Sequence, residues 1–341
     1  GGAMTTQLIG SLDTSQIGVI HDVQLDYYGK RVAMAGADGT VHIWDVTDGQ
    51  QRPIGLIKGH EGPVWNVAWA HPKFGSLLAT CGYDMKVIVW KEVNGQWHQA
   101  YEDASHAASV NSIKFAPWEH GCRLACASSD GNVSVLTYSP NDCQWRRAVF
   151  QAHAPGVQTL DWMPVVHRDN TQPAMRLATG GCDNSVFVWK CESEMWTQET
   201  PPLPAAHTDW VRAVAWRPDG SSILASGSWD KTVGLWKQEM EGQPWRSICK
   251  LTVDGKVEGI SWSVTGSILA VSFGDGETSW YKETDIGRFE ETGKVDEAGF
   301  TDLGKGASPT VGPPGQVGGD VPPPVSNEQQ TAQQAVLDAF G

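Results

Sequence analysis

The stretch GHEGPVWNVAWAHPKFGSLLATCGYDMKVIVW, from Gly59 to Trp90, decides the fold of this chain. It opens with a histidine, continues into an alternating apolar run that ends at Trp69, and passes through small residues to Asp84 and the final Trp90. Alternating apolar and polar residues are typical of half-buried β-strands, and small polar residues around an Asp are typical of a tight turn. The stretch therefore predicts consecutive strands joined by short turns.

The same order of features recurs along the chain. Each recurrence opens with an apolar residue, a second apolar residue three positions on and an aromatic residue two further, and these openings start at Val64, Val110, Val157, Val211 and Val257. Ile20 starts a sixth opening, with Leu25 in place of the aromatic residue. The starts lie 44, 46, 47, 54 and 46 residues apart. Repeats of about 40 to 50 residues with strand patterning predict an all-β propeller of six blades.

A turn aspartate and a strand-end residue form a second recurring pair. The spacing is six residues in five repeats and five residues in the last, and the pairs are Asp38/Trp44, Asp84/Trp90, Asp130/Leu136, Asp183/Trp189, Asp230/Trp236 and Asp275/Trp280. In five of the six repeats an aromatic residue follows the strand end by seven to nine positions and marks an outer strand, at Trp97, Trp145, Trp196, Trp245 and Phe289.

Composition argues against several classes of function. The formal net charge is −14 over 341 residues, and a balance this acidic without a basic stripe argues against direct nucleic-acid binding. The seven cysteines include no Cys-x-x-Cys pair and complete no zinc set, so we expect reduced thiols and no metal site. No phosphate loop, nucleophile elbow or His-Glu-x-x-His motif occurs. We therefore expect no enzyme activity and no cofactor.

The repeat pattern resembles the WD-repeat family over about residues 7 to 295. In that family a His before the first strand, a Ser or Thr in the second, the turn Asp and the third-strand Trp form a hydrogen-bonded tetrad. Three repeats carry the whole set: His60, Thr80, Asp84 and Trp90; His153, Thr179, Asp183 and Trp189; and His207, Ser226, Asp230 and Trp236. Because the set recurs in three blades, we interpret it as structural and not as a hydrolase triad.

Three repeats depart from the tetrad. In the first repeat His21 aligns with Trp65 inside a strand, so it is not a tetrad histidine. His106 is accompanied by Cys126 and Leu136 where the second and third strands should supply a hydroxyl and a Trp, and the last repeat has Asp254 near the histidine position. We expect these blades to lack the complete network.

The strand count predicts that the ring is open. The segment GRFEETGKV, residues 287 to 295, supplies the last blade with its own outer strand, so the segment TQLIGSL, residues 6 to 12, is left as an orphan strand. We expect an open six-bladed propeller that a partner completes with a seventh blade, which is strand addition on the scale of a blade. The alternative is that six blades close on themselves.

Several segments resemble a narrower family, the small propeller subunit of the COPII vesicle outer coat, which is shared with the Y-shaped complex of the nuclear pore. They include IHDVQLDYYGKRVA (20 to 33), YDMKVIVWKEVNGQW (83 to 97), SSDGNVSVLTY (128 to 138), AHTDWVRAVAWRP (206 to 218) and SWSVTGSILAVSFGD (261 to 275). The replacement of the third-strand Trp by SVLTY is particular to that family.

The resemblance implies a scaffold that stiffens a rod. In that family the large rod subunit of the COPII outer coat, or an alpha-solenoid nucleoporin of the Y-complex, inserts a blade into the open propeller, and a nutrient-signalling coat-like complex is a further assembly. It implies ER-to-Golgi transport, a cytoplasmic location on vesicle membranes at ER exit sites, with membrane association only through the coat, and a second location at the nuclear pore.

We expect the partner to contact the two faces that flank the gap. The candidate residues on blade one are Ile20, Val23, Leu25, Val41 and Ile43; those on blade six are Trp262, Leu269, Val271, Phe273 and Trp280; and the orphan strand adds Leu8 and Ile9. If the ring closes on itself, the chain is instead expected to act as an adaptor that binds a peptide at the channel mouth, and basic residues converging there would favour that alternative.

The ends of the chain are expected to lie outside the propeller. Residues 1 to 5, beginning GGAM, have the composition of a cloning scar. Residues 296 to 341 are rich in Gly and Pro, a composition that predicts a disordered linker, and end in a short segment in which Val336, Leu337 and Phe340 share one helical face. The loop from 163 to 175 is expected to be a surface excursion.

Overall fold

The computed structural model describes residues 12 to 302, apart from residues 13, 16, 50, 166–173, 206, 286 and 297–298. Within this part of the chain the regular structure consists of β-strands and three short 3-10 helices, Thr47–Gly49, Pro72–Phe74 and Trp118–His120. None of its helices has the length and apolar character needed to cross a membrane. The orphan strand before Leu12, most of the 163 to 175 loop and the tail after Asp302 lie outside the described residues.

The strands form six antiparallel sheets, one for each predicted blade. Blade one contains β1 (Ile20–Leu25), β2 (Arg31–Gly36), β3 (Thr40–Asp45) and β4 (Arg52–Lys58). Blade two contains β5 (Val64–Trp69), β6 (Leu77–Gly82), β7 (Val87–Val93) and β8 (Gln96–Asp103). Blade three contains β9 (Val110–Phe115), β10 (Arg123–Ser128), β11 (Asn132–Ser139) and β12 (Gln144–Gln151).

The second half of the ring repeats this order. Blade four contains β13 (Val157–Trp162), β14 (Met175–Gly181), β15 (Val186–Glu192) and β16 (Met195–Gln198). Blade five contains β17 (Val211–Trp216), β18 (Ile223–Ser228), β19 (Thr232–Lys237) and β20 (Arg246–Thr252). Blade six contains β21 (Val257–Trp262), β22 (Ile268–Phe273), β23 (Glu277–Asp285), β24 (Arg288–Asp296) and β25 (Gly299–Asp302). Each blade is thus a meander of strands in sequence order.

The last blade differs from the expected boundary. Its outer strand β24 covers the segment predicted for it, but β25 then pairs antiparallel with β24, with Val295 opposite Phe300. The propeller therefore continues to Asp302, beyond the boundary at 295 expected from the sequence.

Each turn aspartate is followed by a residue in the left-handed backbone conformation. That residue has a positive φ in all six blades, with values of 82° at Gly39, 67° at Met85, 87° at Gly131, 64° at Asn184, 66° at Lys231 and 104° at Gly276. A tight hairpin needs this left-handed conformation. The aspartate fixes the turn because its carboxylate accepts backbone N–H groups, as Asp84 does from Lys86 at 3.2 Å.

Successive blades are joined by a buried apolar cluster at each of the five junctions from blade one to blade six. Polar groups also bridge the first strands: the Asp22 carboxylate accepts the Val67 N–H at 3.0 Å, and the Asp161 carboxylate accepts the Trp216 N–H at 2.7 Å. Burial raises the pKa of both Asp22 and Asp161. These contacts hold the first strands side by side around a central channel.

The sixth junction is different. The first strands of neighbouring blades lie side by side from β1 to β21, but β21 and β1 do not. No hydrogen bond, ion pair or apolar cluster joins blade six to blade one within the described chain. The predicted open six-bladed propeller is confirmed.

Candidate functional site

Two apolar faces flank the gap between blades one and six. On blade one, alternate residues of β2 and β3 pack toward blade two, so the remaining residues of these strands point to the other side, because side chains alternate along a strand. That other side carries Ile17, Ile20, Val32 and Met34, with Leu12, Val23, Leu25, Trp44 and Val46 packed against them. On blade six the corresponding face carries Ala270 and Trp280, with Ile268 and Val295 beside them.

Four of the residues proposed from the sequence lie on these gap faces. Ile20, Val23 and Leu25 belong to the blade-one face, and Trp280 belongs to the blade-six face. Leu8 and Ile9 lie outside the described residues.

Six proposed residues lie on the opposite sides of their blades, and their assignment to the gap is corrected. Val41 and Ile43 pack in the core between blades one and two. In the same way Trp262, Leu269, Val271 and Phe273 pack in the core between blades five and six. Because strand side chains alternate with a period of two, a one-residue error in alignment moves a whole set of residues to the other face.

The third-strand Trp position of blade six was also assigned to the wrong residue. In blade five Trp236 stands opposite Leu224, and in blade six Tyr281, not Trp280, stands opposite the matching Leu269. Tyr281 therefore occupies the third-strand Trp position, six residues after Asp275 as in the other repeats. Counting from the turn aspartate at this fixed spacing would have identified it.

Several gap-face residues were not among those predicted from the sequence. They are Val32, Met34, Trp44 and Val46 on blade one, and Ile268, Ala270 and Val295 on blade six. The signal was present in β3, where Trp44 matches Trp90 of blade two, whose ring packs toward the preceding blade. For blade one no preceding blade exists in this chain.

Polar atoms on both faces lack partners among the described residues. Trp44 Nε1 is buried without an acceptor, because Met34 occupies the position at which Thr80 supplies a hydroxyl in blade two. On blade six Thr278 Oγ1 is buried without a partner. Buried polar groups in proteins are almost always hydrogen-bonded, so both faces are chemically incomplete among the residues that the structure describes.

The three tetrads form as predicted, with nearly identical geometry. In blade two His60 Nδ1 lies 2.9 Å from Asp84, His60 Nε2 lies 2.7 Å from Thr80 Oγ1, and Trp90 Nε1 donates to the same hydroxyl at 2.9 Å. The matching distances are 2.8, 2.8 and 2.9 Å in blade four and 3.1, 2.8 and 2.9 Å in blade five. The network requires a neutral imidazole whose Nδ1–H donates to the aspartate.

The electrostatics of the tetrads agree with a structural role. Burial opposes ionisation of Asp84, but the N–H groups of Glu61 and His60 outweigh it and lower the pKa of this carboxyl, and the pKa of Asp183 and Asp230 is lowered in the same way. The hydroxyls of Thr80, Thr179 and Ser226 are fully buried. Because a nucleophile must reach its substrate, these hydroxyls cannot serve as one.

In blade three the histidine contacts the turn aspartate and a hydroxyl, but the hydroxyl comes from a different strand than in the other blades. His106 Nδ1 lies 2.9 Å from Asp130, and His106 Nε2 lies 2.8 Å from Ser134 Oγ. Ser134 stands on β11 directly opposite Cys126 of β10. The hydroxyl thus comes from the neighbouring strand. Leu136 supplies no indole N–H, so the expectation that this blade lacks the complete tetrad stands.

At the channel mouth where the first strands begin, the basic side chains of Arg212 and Lys256 already have partners among the described residues. Arg212 Nη1 donates to Gln158 at 2.5 Å, and Arg212 Nε lies 3.5 Å from Glu258. Lys256 lies 4.2 Å from the ring centre of Trp229. No group of three or more His, Cys, Asp or Glu side chains with metal-binding geometry occurs in the described ranges.

Comparison with known proteins shows where this architecture belongs. The WD40 family profile, "WD domain, G-beta repeat", matches residues 6–45, 51–91, 145–190 and 201–237. The "Protein SEC13 homolog" of Drosophila melanogaster is 41% identical over 83% of this chain and 82% of its own length. The "Protein transport protein sec13" of Emericella nidulans is 40% identical over 82% of this chain and 96% of its own length. The "Protein transport protein SEC13" of Mycosarcoma maydis is 34% identical over 87% of this chain and 97% of its own length.

Proposed function

The chain belongs to the SEC13 family of WD-repeat proteins, and from that premise we propose that it is a non-catalytic scaffold subunit of the COPII outer coat in ER-to-Golgi transport. Its relatives are named as protein transport proteins. Its action is mechanical: it accepts a blade from a rod-like partner and holds the rod rigid.

The single observation that carries this proposal is the open sixth junction. Five junctions each have an apolar core and aligned first strands, whereas the two faces at the sixth carry separate apolar clusters. A blade inserted there would pack on both clusters at once, and its strands could supply an acceptor for Trp44 Nε1 and a partner for Thr278 Oγ1. The interface would resemble a domain core cut in half, as obligate interfaces do.

The proposed blade donor is the large rod subunit of the COPII outer coat. By the same geometry the gap would accept a blade from an alpha-solenoid nucleoporin of the nuclear-pore Y-complex, in which the chain would contribute to mRNA transport, or from a rod of the nutrient-signalling coat-like complex. The chain would then lie on the cytoplasmic side of ER-exit-site vesicles, held there only through the coat, and at the nuclear pore.

The self-closed adaptor fits the structure less well. It requires a sixth junction like the other five, and the described residues form no apolar core there.

The proposal is tested by co-expression with the large rod subunit and capture of the tagged chain under high-salt washing. We expect stoichiometric retention, a loss of at least tenfold with Val23→Glu on the gap face, and no loss with Leu56→Glu on the outer strand of the same blade, where the side chain is 51% exposed. Thermal unfolding of each isolated variant checks that it is folded.

Amide hydrogen exchange on the captured complex gives a second readout. If a blade is inserted, exchange in β1 and β21 slows, because these first strands gain a neighbour. Retention that ignores Val23→Glu, or exchange that is unchanged at both strands, would contradict insertion at the gap.

A further inference from the structure

An exposed row of aromatic side chains lies at the channel mouth where the first strands end. Tyr28 meets Tyr27 at a ring-centroid distance of 5.2 Å, Tyr27 meets His71 at 4.7 Å, and His71 meets Trp118 at 5.7 Å. Lys73 lies 4.2 Å from the centre of the Trp118 ring. We call these five side chains the aromatic ridge; it crosses blades one, two and three.

The large aromatic side chains of the ridge are unusually exposed to solvent. Tyr27 and Tyr28 are 65% and 64% exposed, and Trp118 is 38% exposed. Contiguous exposed apolar surface of this kind marks a binding site more often than a free surface. Three of its members also line a cavity of about 500 Å³, which reaches from the ridge to Pro117 and Pro164 and toward the channel. Cavities of roughly 300 to 1,000 Å³ are the size at which proteins bind ligands.

The chemistry of the ridge selects an extended peptide with consecutive prolines. Grooves lined by Tyr, Trp and His take up polyproline II segments, because proline rings pack on aromatic faces and the segment loses little conformational entropy on binding. Lys73 has no carboxylate partner among the described residues, so an acidic residue next to the prolines would be favoured.

The chain itself contains such a segment. Pro322, Pro323 and Pro324 form the longest proline run in the sequence and follow Asp320 and Val321 directly. Pyrrolidine rings fix φ near −65°, so three in succession favour the polyproline II conformation. Asp320 stands two residues before the run, so the segment also carries the acidic group that Lys73 would favour.

The length of chain after the propeller is sufficient. Asp302 ends β25, the fifth strand of its sheet, so it lies about 19 Å from the first strand at about 4.8 Å per strand spacing. The 18 residues from Asp302 to Asp320 can span up to about 60 Å when extended.

We propose that the aromatic ridge and its cavity are a binding site for a polyproline II peptide, and that the chain's own segment from Asp320 to Val325 is its occupant. The cavity shares Leu25 with the blade-one gap face, but the ridge side chains lie outside that face, and the proposal does not depend on blade insertion.

The test uses the full-length chain and a labelled peptide, GGDVPPPVSN, which copies residues 318 to 327. A tail variant with Pro322→Ala, Pro323→Ala and Pro324→Ala frees the ridge for this peptide, and fluorescence anisotropy measures binding. A tethered segment has an effective concentration on the order of 1 mM. We therefore expect the peptide to bind the wild-type chain at least tenfold more weakly than the tail variant.

Matched variants locate the site. Adding Trp118→Ala to the tail variant should weaken peptide binding at least tenfold, whereas adding Trp210→Ala, a Trp of similar exposure at the opposite mouth, should leave it unchanged. The peptide GGDVAAAVSN should not bind. Equal binding to the wild-type chain and the tail variant would exclude the tail as occupant, and absent or Trp118-independent binding would overturn the site itself.

Discussion

At the scale of single residues, the tetrad hydroxyl makes two hydrogen bonds. Thr80 is fully buried, and its hydroxyl donates to His60 Nε2 while it accepts from Trp90 Nε1. A buried polar group without its partner costs about 1–3 kcal/mol. Blade three shows that the position of the hydroxyl in the sequence matters less than its position in space, since Ser134 reaches His106 from the next strand.

We predict that Ser134→Ala lowers the free energy of unfolding by about 1–3 kcal/mol, because His106 Nε2 then stays buried without a partner. Ser247 is an exposed serine on β20, and Ser247→Ala should change stability by no more than about 0.5 kcal/mol. Urea unfolding measures both. Equal stability of the two variants would mean that Ser134 does not complete the blade-three network.

His207 makes stability depend on pH. Burial lowers its pKa; Asp230 acts in the opposite direction and Lys250 acts with burial. The unfolded chain takes up a proton near pH 6.5, while folded His207 stays neutral until a lower pH. The unfolded state therefore binds more protons in this window, and stability falls as the pH drops below about 6.5, by up to about 1.4 kcal/mol per pH unit for one histidine.

We predict that His207→Gln is less stable than the wild-type chain at pH 7.5 but loses less stability between pH 7.5 and 5.5. Chemical unfolding at both pH values measures the two slopes. His98→Gln, which changes an exposed histidine on β8, should keep the wild-type slope. A wild-type slope in His207→Gln would assign the pH dependence to other groups.

At the scale of elements, the register of each strand decides which face a residue serves. Ile43 and Trp44 are neighbours on β3, yet Ile43 packs against blade two and Trp44 lies on the gap face. The same alternation separates Tyr281 from Trp280 on β23. Stability of the isolated chain and binding of a partner therefore depend on alternate residues of the same strand.

We predict that Ile43→Ala destabilises the isolated chain by about 2–5 kcal/mol, because Ile43 is fully buried in the core between blades one and two. Leu56→Ala, on the exposed side of β4, should have little effect. Urea unfolding of both isolated variants decides the matter. Unchanged stability together with lost capture of the rod subunit would place Ile43 on the gap face after all.

At the scale of the whole molecule, five junctions between blades have an apolar core and the sixth is open. The repeats that start from Ile20 to Val257 predicted six blades from their spacing, and the His, hydroxyl, Asp and Trp positions of three blades predicted their tetrads. The narrower resemblance is confirmed by relatives about 40% identical over most of the chain. These features are local or periodic, so they can be read from the chain without knowing what packs against what.

The sequence by itself determined the number of blades, the strand order and the turns, because a period near 46 residues and a left-handed turn residue are properties of neighbouring positions. Only the tertiary structure decided which face of blades one and six borders the gap, where Ser134 finds its histidine, and how Tyr28, Tyr27, His71 and Trp118 from three blades form one ridge. The physical reason is that these features join residues distant in sequence. A shift of one residue in register reverses a face without changing the pattern of apolar residues that predicts the strand.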